Sequence, residues 1–419
     1  MTTNPRPVFL HIGAMKTGTT FLQQLMAVNR EELSGDGYLF PGATWSRQLR
    51  AVQDALGRNR GDPRIKAETR GAWPALAQEM FDYRGRASIV SVESLSFATP
   101  AQARRIVALL EPADVHVVLT VRDTLAVIPS YWQTMVHDGS TVSWAEYLHG
   151  IRKLVGLQGR LGRWSPERAV RAFSRSQRIP WMLDAWGSAV PASRLHVVTV
   201  PPPGSDSRLL WNRFAAAVGV DAASCPRLPA RTNPSLGHAS TELLRHINVK
   251  LGRLRPTDYT PTLKAYLALE VLSGRAEARA RPDLATAEFA VAWNRQVRAA
   301  VTASGAALVG DLDDLPVVMP KGQSVPATVS TPDERDVLAA GLVAVEAMHE
   351  LVRRRARRLR NRGVAVSTEP SAATVASMQR WVAAADPVAA AASDVADLAR
   401  IAISLHQRLR ALPRGGART

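Results

Sequence analysis

The segment from Pro7 to Met26 constrains the fold of this chain more than any other. It begins with an apolar run, PVFLHIG, continues through the glycine-containing stretch AMKTGTT, and ends with apolar residues Phe21, Leu22 and Leu25 at helical spacing. Such a pattern predicts a buried strand, a loop and a helix. A unit of this kind directs backbone N–H groups and the positive end of a helix dipole to one point, which suits a phosphate or similar anion.

Other apolar runs extend this unit into a larger sheet. ASIVSVES (87–94), DVHVVLTVRD (114–123) and RLHVVTV (194–200) predict further strands, and GAALVGDLDDLP (305–316) predicts a last strand and turn. Because helical patterns lie between these runs, the sequence predicts an α/β fold with three layers, in which helices cover both faces of a parallel sheet. This is the general architecture of phosphate-loop proteins.

The length of 419 residues exceeds a usual single core and indicates an α/β domain with an appendage. We predict a catalytic domain at 1–315, a proline-containing linker at 316–332 and an all-helical C-terminal extension at 333–419. Apolar residues from Val388 to Leu412 alternate in steps of three and four, which predicts a packing stripe. Its partner could be the preceding helix, the main domain or a second copy of the chain, so a homo-oligomer through these helices is one of the arrangements left open.

The net charge of +17 comes mainly from arginine and suits anionic ligands. Much of the excess lies in RRRARRLRNR (353–362), which is either a solvated helix face or a ligand surface. Cys225 is the single cysteine, so neither an intrachain disulfide nor a cysteine zinc site can form. A single cysteine suits a reducing compartment, so we expect a cytoplasmic protein. No signal peptide and no apolar run near the roughly 18 residues of a transmembrane segment is visible, so we also expect it to be soluble.

The loop itself differs from that of ATPases in the position of its lysine. A Walker A loop has Gly, four residues, Gly, Lys and Ser or Thr, and its lysine reaches the β and γ phosphates. Here Gly13 and Gly18 have the right separation, but Lys16 lies between them and Thr19 and Thr20 follow. The ammonium group of Lys16 should therefore reach a group close to the first phosphate.

The string KTGTT after a strand resembles the 5′-phosphosulfate loop of sulfotransferases that use 3′-phosphoadenosine-5′-phosphosulfate (PAPS). A second segment, VRDTLAVIPSYW, is similar to the 3′-phosphate site of that family, with Arg122 at a strand end and Ser130 eight residues later. The resemblance covers roughly residues 5–315, with specific motifs within the first 135. It implies PAPS as the sulfate donor, no metal, and a set of donor-binding residues: Lys16, Thr17, Gly18, Thr19, Thr20, Arg122 and Ser130.

Sulfuryl transfer requires a base that removes the acceptor proton. Glu93 ends the apolar run SIVSV, and SVESLS resembles the glutamate segment of bacterial and carbohydrate-type sulfotransferases. The resemblance implies Glu93 as catalytic base beside Lys16, whereas a simple ion pair of Glu93 with a basic neighbour is the alternative. His11, His116 and His137 are rival bases. The histidine context and the long C-terminal cofactor motif of the cytosolic branch have no counterpart here.

The acceptor is not specified by the sequence. The segments 137–150 and 150–180 should shape its pocket, and their Trp and Tyr residues suit sugars, phenols or lipids about equally. We therefore expect a carbohydrate, a glycolipid or a small metabolite as the acceptor. RTNPSLGHASTELLRHIN (231–248) resembles a bacterial segment that closes over the donor, with Arg231 or Asn233 near the 3′-phosphate. Two other functions stay open, a metabolite kinase that uses ATP and a non-catalytic protein that binds anions through 353–362. No nucleic acid partner is expected.

Overall fold

The computed structural model describes residues 5–57, 63–156, 165, 167–230, 235–319, 325–366 and 374–412. Its strands are β1 (Pro7–Gly13), β2 (Tyr38–Leu39), β3 (Ala87–Ser91), β4 (Asp114–Val121), β5 (Leu195–Thr199) and β6 (Ala307–Val309). They form one sheet in the order β2-β3-β1-β4-β5-β6, and every neighbouring pair is parallel. The prediction of an α/β fold with a parallel sheet flanked by helices is confirmed.

The helices are α1 (Thr19–Val28), α2 (Arg30–Gly35), α3 (Trp45–Ala55), α4 (Pro63–Thr69), α5 (Ala72–Asp82), α6 (Pro100–Ala108), α7 (Thr124–His137), α8 (Trp144–Gly156), α9 (Arg168–Gln177), α10 (Ile179–Gly187), α11 (Leu209–Val218), α12 (His238–Leu251), α13 (Pro256–Tyr259), α14 (Leu284–Ser304), α15 (Glu334–Arg360), α16 (Thr374–Val382) and α17 (Pro387–Ala411). A π-helix spans Thr260–Val271. Among the described helices, none has both the length and the apolar character needed to cross a bilayer.

The two central strands are covered on both faces. Leu10 and His11 are consecutive residues of β1 whose side chains point to opposite faces, and both are fully buried. On one face, Phe9 of β1 and Val118 of β4 belong to a core cluster that also holds Phe214 of α11. Burial on both faces explains why the runs that form β1 and β4 read as nearly continuous apolar sequence.

The chain folds into two compact units. The first comprises Met1–Val127, Gly150–Asn233 and Ala285–Ser324, and it contains the sheet. The second comprises Ile128–His149, Pro234–Leu284 and Val325–Thr419, and its described elements are helices. The linear division into 1–315, 316–332 and 333–419 stays a prediction.

In the second unit, α17 packs along α15. Gly341 of α15 lies so close to α17 that a Cβ on it would stand 3.3 Å from Cβ of Ala391. The predicted packing stripe of α17 is buried at Ala391, Val395, Leu398 and Leu405. The preceding long helix is therefore a packing partner of this stripe, as one of the predicted arrangements had it.

Candidate active site

The loop between β1 and α1 needs both of its glycines. Gly13 and Gly18 have φ angles of 103° and 82°, in the left-handed region that residues with a Cβ rarely adopt. A Cβ on Gly18 would also stand 2.4 Å from Cδ2 of Leu210, and one on Gly13 would stand 3.2 Å from Cβ of Glu93. Glycine is therefore required at both positions by backbone conformation and by the space available.

Lys16 adopts a left-handed conformation as well, with φ of 65°. This conformation costs a non-glycine residue roughly 1–2 kcal/mol. Residues held in such conformations cluster at functional sites, where the surrounding structure maintains them. The left-handed backbone at Lys16 therefore marks this residue as a candidate for a functional role.

Two buried threonine hydroxyl groups donate hydrogen bonds to backbone carbonyls of the loop and stabilise its conformation. Thr17 Oγ1 donates a hydrogen bond to the carbonyl of Ala14 (2.6 Å), and Thr120 Oγ1 donates to the carbonyl of Gly13 (3.0 Å). The two hydroxyl oxygens lie 2.5 Å apart, and both side chains are fully buried. The Thr17 hydroxyl is therefore used within the loop. A ligand bound at the loop would contact the backbone N–H of Thr17 and not its side chain.

The start of α1 offers backbone donors to an anion. Gly18 is the N-cap residue, and the first intrahelical bond runs from the N–H of Leu22 to its carbonyl. The N–H groups of Thr19, Thr20 and Phe21 precede that bond and have no intrahelical acceptor. The first turn itself carries no acidic residue, so the positive end of the helix dipole is not neutralised from within the helix.

Arg122 adjoins the loop directly. It follows the last residue of β4, and its Nη1 donates a hydrogen bond to the carbonyl of Lys16 (3.3 Å). Both residues are half-buried. The structure thus brings two predicted site residues together at the carboxyl edge of the parallel sheet, where doubly wound folds bind their ligands.

Glu93 lies at the same edge. It opens a short 3₁₀ turn (Glu93–Phe97) just beyond β3, which pairs with β1 so that Ser91 lies opposite His11. Its Oε2 accepts a hydrogen bond from Thr19 Oγ1 at 2.6 Å. The carboxylate therefore contacts the first residue of α1, directly beside the loop.

The turn that follows Arg122 is held by hydrogen bonds that were not predicted from the sequence. Asn294 of α14 is 1% exposed, and its Oδ1 accepts hydrogen bonds from the N–H (3.1 Å) and the hydroxyl (2.7 Å) of Thr124. Its Nδ2 donates to Oδ1 of Asp123 (2.8 Å), which also accepts from the N–H of Leu125 (3.1 Å). Asn294 and Asp123 thus fix the turn that carries Arg122 into α7.

His11 is a structural histidine. Its Nδ1 lies 2.7 Å from Oγ of Ser91 and its Nε2 lies 3.3 Å from Oγ1 of Thr120, both inside the core. Complete burial lowers the pKa of His11 to about 3. A group so weakly basic is a poor proton acceptor at neutral pH.

The other two histidines are paired with neighbours. Nδ1 of His116 lies 3.0 Å from Nε2 of His196, and Nε2 of His116 lies 3.3 Å from Oδ2 of Asp114. Nδ1 of His137, in the second unit, lies 3.4 Å from Oδ1 of Asp138. Among the predicted bases in the described ranges, Glu93 is the one with a recorded contact to the start of α1.

The remaining predicted residues lie in several parts of the chain. Thr20 is the second residue of α1 and is half-buried. Ser130 is a half-buried residue of α7 that belongs to the second unit, whereas Arg122 belongs to the first, and their joint binding of a 3′-phosphate stays a prediction. Arg231 and Asn233 lie outside the described residues. In the described ranges, no cluster of three or more His, Cys, Asp or Glu side chains could hold a metal ion.

Comparisons with known proteins add one distant similarity. No protein-family model matches the chain, and no curated protein matches it. Among solved structures, the chain is similar to a sulfotransferase from Alicyclobacillus acidocaldarius, with 16% sequence identity and a TM-score of 0.36. The match covers 65% of this chain and 94% of that one. A similarity with this identity and TM-score does not assign a function to the chain.

Proposed function

We propose that this protein is a sulfotransferase that moves the sulfuryl group of PAPS to a hydroxyl or amine of a carbohydrate, glycolipid or small metabolite. The observation that supports this most is the meeting of three groups at one sheet edge. Arg122 contacts the backbone of Lys16, and Glu93 contacts Thr19 at the start of α1. A cation in the loop, a second cation beside the loop and a carboxylate at the start of α1 are the groups that this transfer requires.

In this proposal the donor is held at its two anionic ends. The backbone N–H groups of residues 16–20 and the dipole of α1 bind the 5′-phosphosulfate. The forked guanidinium of Arg122 binds the 3′-phosphate, which carries about −1.5 to −2 charges, and the Ser130 hydroxyl assists it. Asn294 and Asp123 contribute indirectly, because they hold the turn from which Arg122 extends.

The transfer then uses two side chains. The Glu93 carboxylate takes the proton of the acceptor as the acceptor atom forms its bond to sulfur. The bond between sulfur and the bridging oxygen breaks in line with this attack, and the electron pair stays on that oxygen. Lys16 stabilises the developing negative charge, and adenosine 3′,5′-bisphosphate leaves.

The position of Lys16 distinguishes this reaction from phosphoryl transfer from ATP. A lysine that serves a γ-phosphate follows the second glycine of the loop, whereas Lys16 precedes it. Asp123, which follows Arg122 at the end of β4, uses Oδ1 to accept hydrogen bonds from Leu125 and Asn294. That oxygen therefore caps the start of α7. The aspartate at the corresponding place in ATPases has a different role, because it is associated with magnesium.

The direct test is transfer of a labelled sulfuryl group. Purified protein is incubated with PAPS labelled in its sulfate and with extracts of metabolites, lipids and polysaccharides, and the labelled products are identified. We expect label in an acceptor and release of adenosine 3′,5′-bisphosphate in equal amounts. Turnover of ATP with magnesium in place of this transfer would contradict the proposal and favour a kinase.

A further inference from the structure

The parallel packing of α15 and α17 brings their C-terminal ends together. Near the start of the pair, Gly341 lies against Ala391, and further along, Nη1 of Arg355 donates a hydrogen bond to the carbonyl of Ala402 (2.8 Å). Beyond the end of α15, Nη2 of Arg408 donates to the carbonyl of Ala365 (2.8 Å). Two segments separated by about forty residues in sequence therefore end side by side.

Both ends are rich in arginine and lack acidic residues. The sequence contains no Asp or Glu between 351 and 368, and none after Asp397. Exposed arginines from both ends form what we call the arginine surface: Arg353, Arg357, Arg358, Arg360, Arg362, Arg408 and Arg410. The fold thus turns one basic stretch into a surface contributed by two helices.

Neutralisation of helix dipoles explains only part of this charge. The C-terminal end of a helix carries about −0.5 charge, so two parallel helices present about −1 in total. Arg353 also pairs with Glu350 at 3.1 Å. Exposed arginines remain beyond the charge that these groups can balance, and they include Arg357, Arg358, Arg362 and Arg410.

The pKa values of two neighbouring groups agree with this excess. Burial and the charges of Arg354 and Arg358 lower the pKa of Arg355 to about 10. Burial and the charges of Arg355 and Arg410 lower the pKa of His406, and the carboxylate of Asp258 offsets only part of this effect. Positive charges from both helices therefore repel one another across the end of the pair.

The composition of the surface favours oxyanions on a polymer over bases or a bilayer. Its cationic side chains are all arginines, whose planar forks bind sulfate, carboxylate and phosphate groups through two hydrogen bonds. Within 351–366 and 398–412, no large apolar or aromatic side chain is strongly exposed. The surface thus offers neither a platform on which the unpaired bases of a single strand could stack nor an apolar wedge for lipid.

We infer that the arginine surface binds an anionic polysaccharide, a chain that carries sulfate or carboxylate groups at regular intervals. This function goes beyond the proposed sulfuryl transfer, since it requires neither PAPS nor Lys16. It also gives the C-terminal helices a role of their own.

The experiment uses the whole chain and a size-defined heparin oligosaccharide as the probe. Affinity is measured by titration at a series of NaCl concentrations, without any nucleotide. The surface variant R357Q/R358Q/R362Q/R410Q is compared with R50Q/R105Q/R279Q/R335Q, which removes the same number of exposed arginines elsewhere. Thermal unfolding of both variants checks that they are folded.

We expect wild type and the control variant to bind with affinity that falls steeply with salt. The surface variant should bind at least about tenfold more weakly at 0.1 M NaCl and with a shallower salt dependence, since each lost ion pair reduces the slope. Equal affinity of the two variants would overturn the inference. A preference for duplex DNA of matched length, or for phosphatidylserine vesicles, over the oligosaccharide would overturn it as well.

Discussion

The hydroxyl of Thr19 donates a hydrogen bond to Oε2 of Glu93 across 2.6 Å and so joins the start of α1 to the segment after β3. A hydroxyl has one proton to donate. While Thr19 donates to Glu93, it cannot donate to a phosphate oxygen above the loop. In the proposed reaction, binding of the sulfate donor would therefore draw Thr19 away from the carboxylate and leave that oxygen available for the acceptor proton.

Replacement of Glu93 by Gln should separate chemistry from donor binding. General bases contribute about 10²–10⁴-fold, so we expect kcat to fall by at least about a hundredfold. Affinity for adenosine 3′,5′-bisphosphate should not fall, because the change removes a negative charge beside an anion site. Single-turnover kinetics and calorimetric titration measure the two quantities. Glu288 is exposed in the same unit and provides the control variant E288Q. Equal kcat values for E93Q and E288Q would show that another group removes the acceptor proton.

The competition for the Thr19 hydroxyl predicts a coupling between Thr19 and Glu93. Thr19 is 3% exposed, so Val, which has nearly the same shape, removes the hydroxyl with little change in packing. We expect E93Q to increase nucleotide affinity more in the wild-type background than in T19V, and T19S to behave like wild type. A double-mutant cycle on the dissociation constants measures this coupling. Strictly additive effects would show that the two groups act independently on the nucleotide.

Loss of the Lys16 ammonium should reduce turnover more than binding. Met has the Cβ and nearly the length of lysine, so K16M has the same backbone cost at φ of 65° and mainly removes the charge. Loss of one group that stabilises a developing oxyanion costs about 10²–10³-fold in kcat. Affinity for adenosine 3′,5′-bisphosphate should change by less than this factor. If K16M had an unchanged kcat and much weaker nucleotide binding, Lys16 would bind the nucleotide without stabilising the transition state.

The region around Arg122 contains one feature that the sequence predicted and one that it did not. Parallel strands share an edge at their carboxyl ends, so the strand patterns predicted Glu93 at the same sheet edge as Lys16 and Arg122. The structure places all three residues in one unit. The contact of Asn294 with Asp123 spans 171 positions in the chain and joins a helix to a turn. No periodicity encodes such a contact, because a buried asparagine in an amphipathic helix has no distinctive spacing.

Other differences have similar physical causes. β2 contains only Tyr38 and Leu39, too few residues for an alternating pattern to appear. The arginine-rich stretch at 353–362 reads as one exposed face, yet Arg355 is 6% exposed and donates to the carbonyls of Pro261 and Ala402. Which arginine of a run turns inward depends on neighbouring helices, and those are set by the tertiary fold.

Removal of the Asn294 side chain should weaken nucleotide binding through Arg122. The variant N294A leaves the N–H of Thr124 and the carboxylate of Asp123 without their buried partner, which costs roughly 1–3 kcal/mol of stability. We expect affinity for adenosine 3′,5′-bisphosphate to fall in N294A and in R122Q, with little further loss in the double variant. Denaturant unfolding separates the loss of stability from the loss of binding. Full additivity of the two losses in binding would show that Asn294 does not act through Arg122.

Burial of His11 predicts that the protein loses stability in mild acid. The pKa of His11 is lowered to about 3 by burial, whereas an unfolded histidine titrates near 6.5. Between these values the unfolded chain binds the proton and the folded chain does not, so the free energy of unfolding falls as pH decreases from about 6.5 towards 3. Full stabilisation is present above pH 6.5.

The variant H11Q isolates this contribution, because glutamine can still hydrogen-bond to Ser91 and Thr120 but does not titrate in this range. Between pH 7 and pH 4, wild type should lose roughly 3 kcal/mol more of unfolding free energy than H11Q does. Urea unfolding at a series of pH values measures this difference in slope, whatever the absolute stability of the variant. The pH dependence of kcat should be the same in both proteins, since a histidine with so low a pKa does not serve as the base. Parallel stability curves would mean that His11 binds a proton in the folded protein as readily as in the unfolded chain.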